Sequence, residues 1–117
     1  MPKTKSNPEV SLRLSDKRIA EVHQHLKNIV AGIMRLQRQG KLPYAKPVPI
    51  TVIRITDIML ILERKRRTSE RIMSELRTKL GKKEGQELTI AEFCREKGLD
   101  EPTVQHTLMM CTVNGLR

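Results

Sequence analysis

Aliphatic side chains recur at alternating intervals of three and four residues through the first third of the chain. This stripe consists of Ile19, Val22, Leu26, Ile29, Ile33 and Leu36. The spacing places all six on one face of an α-helix and is typical of a helix that packs lengthwise on another. Because Ser15 is a suitable N-cap and Gly40 a suitable stop, we expect a helix from about residue 16 to 39. Two partners for the stripe are open: a second copy in a homodimer, or the core of the same chain.

The core of this chain has to be almost entirely aliphatic. Hydrophobic residues make up 38% of the 117 residues, but Tyr44 and Phe93 are the only aromatic ones. The length fits one domain, or one small domain with an appended arm. No apolar run approaches the ~18 to 20 residues of a membrane span, and the start lacks the apolar stretch of a secretory signal.

The cysteine content favours a reducing compartment. Cys94 and Cys111 form neither a Cys-X-X-Cys pair nor a disulfide framework. Together with the lack of an apolar span and of a signal sequence, this disfavours a membrane protein, a secreted scaffold and a zinc finger. We expect a cytoplasmic, nucleoid-associated protein. Cys94 is expected to be a packed thiol, and Cys111 to be partly exposed.

Positive charge is concentrated in the first two thirds of the chain. The formal net charge is +10, from 23 Lys and Arg against 13 Asp and Glu. Residues 1–49 hold ten cations and three acids, residues 50–87 ten and six, and residues 88–117 three and four. This distribution indicates a surface for a polyanion. Nucleic acid is favoured over a membrane surface, because no basic helix carries a bulky aromatic face.

Composition divides the chain into five segments. They are a disordered basic arm (1–9), a short strand and the long helix (10–40), a Pro-rich linker (41–50), a basic helical unit (51–87) and a second helical unit (88–117). The alternation of Val10, Leu12 and Leu14 with polar residues predicts the strand.

Four shorter helices are expected in the two helical units. They are a helix capped by Thr56 that ends at Leu62, a helix over 66–80 that ends before Gly81, a helix over 90–97 capped by Thr89, and a last helix capped by Asp100. Val104, Leu108 and Met109 are expected to face inward from the last helix. The predicted fold class is mostly α, with one short N-terminal strand.

Both helical units resemble the helix-turn-helix of the DNA-binding superfamily. The stretches that carry the resemblance are ITDIMLILERKRRTSERIMSEL (55–76) and TIAEFCREKGLDEPTVQHTL (89–108). In this motif one helix braces a second helix, whose exposed N-terminal side chains enter the DNA major groove. The sequence departs from the motif at Met59, Glu63, Arg64 and Ser69 in the first copy and at Lys97 and Thr107 in the second.

Charge favours the first copy as the one that reads DNA. The second helix of the other copy begins Asp100-Glu101-Pro102, which repels phosphates, so that copy is expected to brace the fold or face a protein. The predicted DNA-binding residues are Arg64, Lys65, Arg66, Arg67, Glu70, Arg71, Ser74, Lys82 and Lys83. Arginine pairs with guanine through two hydrogen bonds, and a glutamate is able to accept from cytosine.

The N-terminal stretch EVSLRLSDKRIAEVHQHL (9–26) is similar to the strand and first helix of ribbon-helix-helix proteins. Proteins of that family dimerise through the strand and place its outward side chains, here Ser11 and Arg13, in the major groove. The chain departs from the family where its helix continues to Gln39. This similarity adds a reason to expect a homodimer contact near the N-terminus.

No catalytic constellation is present in the sequence. His23, His25 and His106 lack the companions of a metal site, so we expect no enzyme activity and no cofactor. The favoured function is a homodimeric, sequence-specific double-stranded DNA-binding protein that regulates transcription. One alternative is an accessory DNA-binding factor of a mobile element that serves excision, transfer or partition. Another alternative is a protein-interaction adaptor that does not read DNA. Whichever function holds, the acidic C-terminal helix is a candidate surface for a protein partner.

Overall fold

The computed structural model describes residues 12–44, 46, 49–83 and 85–116. Within these ranges the chain is mostly helical, which confirms the predicted class. Its helices are α1 (Asp16–Arg38), α2 (Ile55–Leu62), α3 (Arg66–Lys79), α4 (Ile90–Lys97) and α5 (Glu101–Val113). A search of the described residues finds no helix with the length and apolar character needed to cross a membrane.

Helix α1 begins where its sequence predicts. The Ser15 hydroxyl accepts a hydrogen bond from the Arg18 N–H at 3.1 Å, and the helix gives way at Gln39 to a left-handed Gly40. The predicted strand is wrong for residues 12–14, which are not part of a sheet. The Leu14 N–H donates instead to the carbonyl oxygen of Lys97 at 3.0 Å. Val10 lies outside the described residues.

The stripe of α1 is buried within this one chain. Val22 and Leu26 are 0% exposed and Ile33 is 3% exposed. Ile19 and Ile29 are half-buried against the same core, whereas Leu36 is exposed. This burial arises because α1 packs along α5 and against α2. The core of the same chain is thus the partner of the buried residues of the stripe, and homodimerisation stays a prediction.

The other four helices form two pairs of similar design. In each pair an eight-residue helix is followed by one left-handed residue, Glu63 (φ 54°) or Gly98 (φ 80°), and then by a longer helix. The buried positions also correspond. The four buried positions of α3 are Ser69, Ile72, Met73 and Leu76, and they correspond to Val104, Thr107, Leu108 and Cys111 in α5, which buries Met110 in addition. The second helix pair therefore repeats the register of the first.

A short antiparallel contact joins the starts of the two helix pairs. The Ile53 N–H donates to the Leu88 carbonyl oxygen at 2.9 Å, and the Ile90 N–H donates to the Thr51 carbonyl oxygen at 2.8 Å. Ile53 and Leu88 are both buried, and one apolar cluster takes in residues from all five helices. The two helix pairs and α1 consequently share a single core.

Three details of the predicted helices are wrong. Helix α2 begins at Ile55 rather than after Thr56, because the carboxylate of Asp57 accepts a hydrogen bond from the Arg54 N–H at 2.8 Å and caps the helix there. In α5 the half-buried Met109 is not a core residue, and Met110 is buried instead. Cys111 is 1% exposed rather than partly exposed, because α1 and α4 both pack on α5.

Candidate nucleic-acid interface

The turn between α2 and α3 is held by hydrogen bonds to the end of α2. The N–H groups of Glu63 and Arg64 both donate to the Met59 carbonyl oxygen. From α1, the Arg18 guanidinium donates to the carbonyl oxygen of Leu62. A rigid turn of this kind fixes the direction in which α3 leaves and the position of the cations at its start.

A continuous basic face covers the turn and the outward side of α3. Eight of the nine predicted DNA-binding residues are exposed, because the opposite side of α3 is buried in the core. The exposed residues are Arg64, Lys65, Arg66, Arg67, Glu70, Arg71, Ser74 and Lys83. Among the residues that the structure describes, Arg64, Lys65, Arg67 and Arg71 form no ion pair. Their charge is therefore available to a partner.

Two predicted residues of this face have intrachain partners. Arg66 lies 3.4 Å from the Glu70 carboxylate, one turn further along α3. Both side chains are more than half exposed, and exposed pairs of this kind are weak enough to be exchanged for another anion. Lys82 differs, because its half-buried side chain lies 3.1 Å from Glu92 of α4. The structure thus assigns Lys82 to holding the loop after α3 against α4.

Helix α5, the counterpart of α3 in the second helix pair, is tied by hydrogen bonds to α1 and to the segment before α2. Its N-terminus is held against α1 by a 2.9 Å hydrogen bond from the Asp100 N–H to the His23 Nε2 atom. Gln105 donates to the Ile50 carbonyl oxygen at 2.6 Å and accepts from the Ile50 N–H at 3.3 Å. These contacts leave α5 as a core helix of the chain.

Buried ionisable groups near the second helix pair have shifted pKa values. Burial, with smaller contributions from Glu101 and Asp100, raises the pKa of the Cys94 thiol to about 12. Cys94 is therefore a packed thiol and a poor nucleophile at neutral pH. Burial lowers the pKa of Lys97, and the charge of Glu75 acts in the opposite direction.

His23 and His25 make structural contacts in different parts of the fold. His23 accepts the hydrogen bond from α5, whereas the His25 ring lies 2.9 Å from the Leu60 carbonyl oxygen and 3.6 Å from Glu63. Within the described part of the chain, no group of three or more His, Cys, Asp or Glu side chains is arranged to hold a metal ion.

Sequence reasoning missed two cations beside the basic face. Arg18 holds the end of α2, and Lys97, at the end of α4, lies close to it in the same cleft. Lys97 could have been found from its position in the second helix-turn-helix copy, where it departs from the motif. The corresponding residue of the first helix pair is the apolar Leu62. Arg18 carries no such signal, because its partner lies 44 residues further along the chain.

Comparison of the chain with protein-family models, with curated proteins and with solved structures finds no match. The resemblance to the helix-turn-helix superfamily stays a prediction from the residues.

Proposed function

We propose that this protein is a sequence-specific double-stranded DNA-binding protein, in which α2 and α3 act as a helix-turn-helix and α3 enters the major groove. The observation that carries the proposal is the exposed arginine face of α3, which directly follows a short turn fixed by hydrogen bonds. Arg67 and Arg71 project from the first turns of α3, which is where a recognition helix contacts bases, and neither forms an ion pair with another described residue.

The dimensions of α3 suit this role. Its 14 residues correspond to a helix ~21 Å long, at 1.5 Å per residue, and the major groove of B-DNA is ~12 Å wide. The cations at its start neutralise phosphates, and that neutralisation supplies most of the non-specific affinity of a DNA-binding protein. Arginine side chains on the outward face are then able to hydrogen-bond both acceptors of guanine.

The contrast between the two helix pairs supports α3 as the reading helix. Where α3 carries Arg66 and Glu70, the corresponding positions of α5 carry Glu101 and Gln105. Glu101 is acidic, and Gln105 is engaged by the backbone of Ile50. Helix α5 therefore offers no cation at either of these two positions.

The proposed role is a transcriptional regulator that acts on the nucleoid as a homodimer and binds a pseudo-palindromic site. An accessory factor of a mobile element needs the same interface. Sequencing the DNA that the protein binds in cells separates the two roles. Sites beside promoters indicate a regulator, whereas sites at the end of an element or at a transfer origin indicate the accessory role.

A charge-matched pair of double variants tests the proposal. Arg67→Ala with Arg71→Ala is expected to cost about 1 to 3 kcal/mol of binding free energy for each lost guanine contact and to abolish preference for the selected site. Arg35→Ala with Arg38→Ala removes the same charge from the exposed far end of α1 and is expected to keep that preference. The measurement is fluorescence anisotropy over a salt series with two DNA duplexes. The selected duplex carries the site found by sequencing the bound DNA, and the scrambled duplex has the same bases in another order.

The wild-type protein is expected to bind DNA more weakly as salt increases. The logarithm of its association constant should fall linearly with the logarithm of the salt concentration, with a slope of ~0.9 for each phosphate contacted. Absence of duplex binding at low salt contradicts the proposal. An equal loss of site preference in the two double variants also contradicts it, because the specificity would then not reside in α3.

A further inference from the structure

A polar cleft of about 440 Å³ lies beside the basic face of α3. We call it the α3 cleft. Its charged and hydroxyl-bearing lining comprises Arg18 of α1, Arg64 of the turn, Thr68, Arg71 and Glu75 of α3, and Lys97 of α4. Four cations from four different segments and one carboxylate thus converge on one concave surface, and this surface borders the face that is proposed to read DNA.

Lys97 is the least expected member of this cleft. The residue is only 7% exposed, but its Nζ atom is not among the fully buried polar atoms that lack a partner, so the alkyl chain is buried and the ammonium group reaches the cleft. Within the described residues its side chain has no hydrogen bond and no ion pair, and Glu75 influences it without forming an ion pair. A Lys at a position where the first helix pair has Leu62 therefore places an unpaired charge at the wall of the cleft.

The arginines of the cleft are placed by the fold. Arg18 is tied to the Leu62 carbonyl oxygen and lies 3.6 Å from Glu21, so its guanidinium is held in position at the end of α2. Arg64 lines the cleft from the turn and Arg71 lines it from α3, and both residues are exposed. Guanidinium groups hydrogen-bond phosphate oxygens in pairs, and an ammonium group adds a point charge.

We propose that the α3 cleft binds one phosphate group of the DNA backbone next to the bases that α3 reads. The inference rests on the proposed function and adds Arg18 and Lys97 to the interface. A bound phosphate supplies Lys97 with an anion closer than Glu75, which forms no ion pair with it within the described residues. The contact fixes the register of α3 on the duplex and carries no sequence information, as is usual for backbone contacts.

The test compares Lys97→Met with Lys27→Met in the full chain. Both variants lose one positive charge, and Lys27 is exposed on α1 beside a different cleft, between α1 and α5. Lys97→Met is expected to make the salt dependence shallower by ~0.9 in log–log slope, the value for one phosphate contact. It is also expected to weaken the selected and the scrambled duplex by the same factor. Lys27→Met is expected to leave the slope at its wild-type value.

A second substitution tests the cleft without altering its buried lysine. Glu75→Gln removes the carboxylate of the cleft and is expected to strengthen the binding of both duplexes. Its control, Glu101→Gln, removes an exposed carboxylate at the start of α5 and is expected to change affinity less.

Equal salt slopes for Lys97→Met and Lys27→Met overturn this inference while the proposed function stands. If Lys97→Met does not fold, equal affinities of Glu75→Gln and Glu101→Gln overturn it. Absence of duplex binding by the wild-type protein overturns the proposed function, and this inference with it.

Discussion

Ser69 is a polar residue on the buried side of α3. It is 0% exposed, and its hydroxyl oxygen has no hydrogen-bond partner within the described residues. The corresponding residue of the second helix pair is Val104, which is also 0% exposed. An unpaired buried hydroxyl costs ~1 to 3 kcal/mol, so the core of the first helix pair carries a defect that the second lacks.

Removal of that hydroxyl is expected to stabilise the protein. Ser69→Ala should raise the free energy of unfolding by about 1 kcal/mol, because it removes an unsatisfied polar group and favours the helix. Ser74→Ala, on the exposed side of the same helix, should change it by less than ~0.5 kcal/mol. Urea denaturation followed by circular dichroism measures both. A loss of stability in Ser69→Ala would show that the hydroxyl makes a stabilising hydrogen bond.

At the scale of the element, the start of α4 is closed by reciprocal capping. The Thr89 hydroxyl accepts from the Glu92 N–H at 3.1 Å, and the Glu92 carboxylate accepts from the Thr89 N–H at 3.0 Å. The hydrogen bond from the Thr89 backbone is the main cause that lowers the pKa of Glu92 below its ordinary value of 4.5, and Lys82 also lowers it. The charged form of Glu92 therefore stabilises the folded state.

This capping predicts an acid-dependent difference in stability. Because the pKa of Glu92 is lower in the folded than in the unfolded state, its contribution is complete above the ordinary value of 4.5 and disappears as the pH falls through the lowered pKa. Glu92→Gln keeps a capping side chain but removes the charge. We expect the wild-type protein to be more stable than this variant at pH 7, and the difference to shrink toward pH 3. A difference independent of pH, measured by urea denaturation, would contradict this role.

At the scale of the whole molecule, α1 joins the two helix pairs. It packs along α5 and against α2, and its buried Val22 and Leu26 lie in the same apolar cluster as residues of the other four helices, whereas Ile33 packs with Met110 and Cys111 in a smaller cluster beside it. A single shared core favours unfolding of the described chain in one cooperative transition.

Two leucines of the α1 stripe test this arrangement. Leu26→Ala is expected to cost about 2 to 5 kcal/mol, because Leu26 is 0% exposed and its truncation leaves a cavity in the shared core. Leu36→Ala, at a position that is 36% exposed, should cost less than Leu26→Ala by at least ~1 kcal/mol. Thermal unfolding and NMR spectra of both variants measure this. Loss of α1 signals alone in Leu26→Ala, with α2 to α5 intact, would contradict a shared core.

Local signals in the sequence were sufficient to predict most helix bounds. These signals are local, because each acts within a few residues along the chain, so they can be recognised before the fold is known. They are the apolar periodicity, the caps at Ser15, Thr89 and Asp100, and the left-handed Gly98. The outward face of α3 follows from the same periodicity, because the residues between its apolar positions have to face solvent. The aliphatic character of the core followed from composition alone.

The tertiary structure decided every contact between residues that are distant along the chain. Periodicity predicts that the α1 stripe is buried but does not identify the surface that covers it, which is α5 and α2 of the same chain. The extended residues before α1 needed a neighbouring strand to form a sheet, and Leu14 meets the Lys97 carbonyl oxygen instead. Lys82 forms an ion pair with Glu92 of α4, a contact that the spacing of the two residues along the chain does not predict. The α3 cleft exists only where α1, the turn, α3 and α4 converge, because its charges come from segments that sequence spacing does not relate.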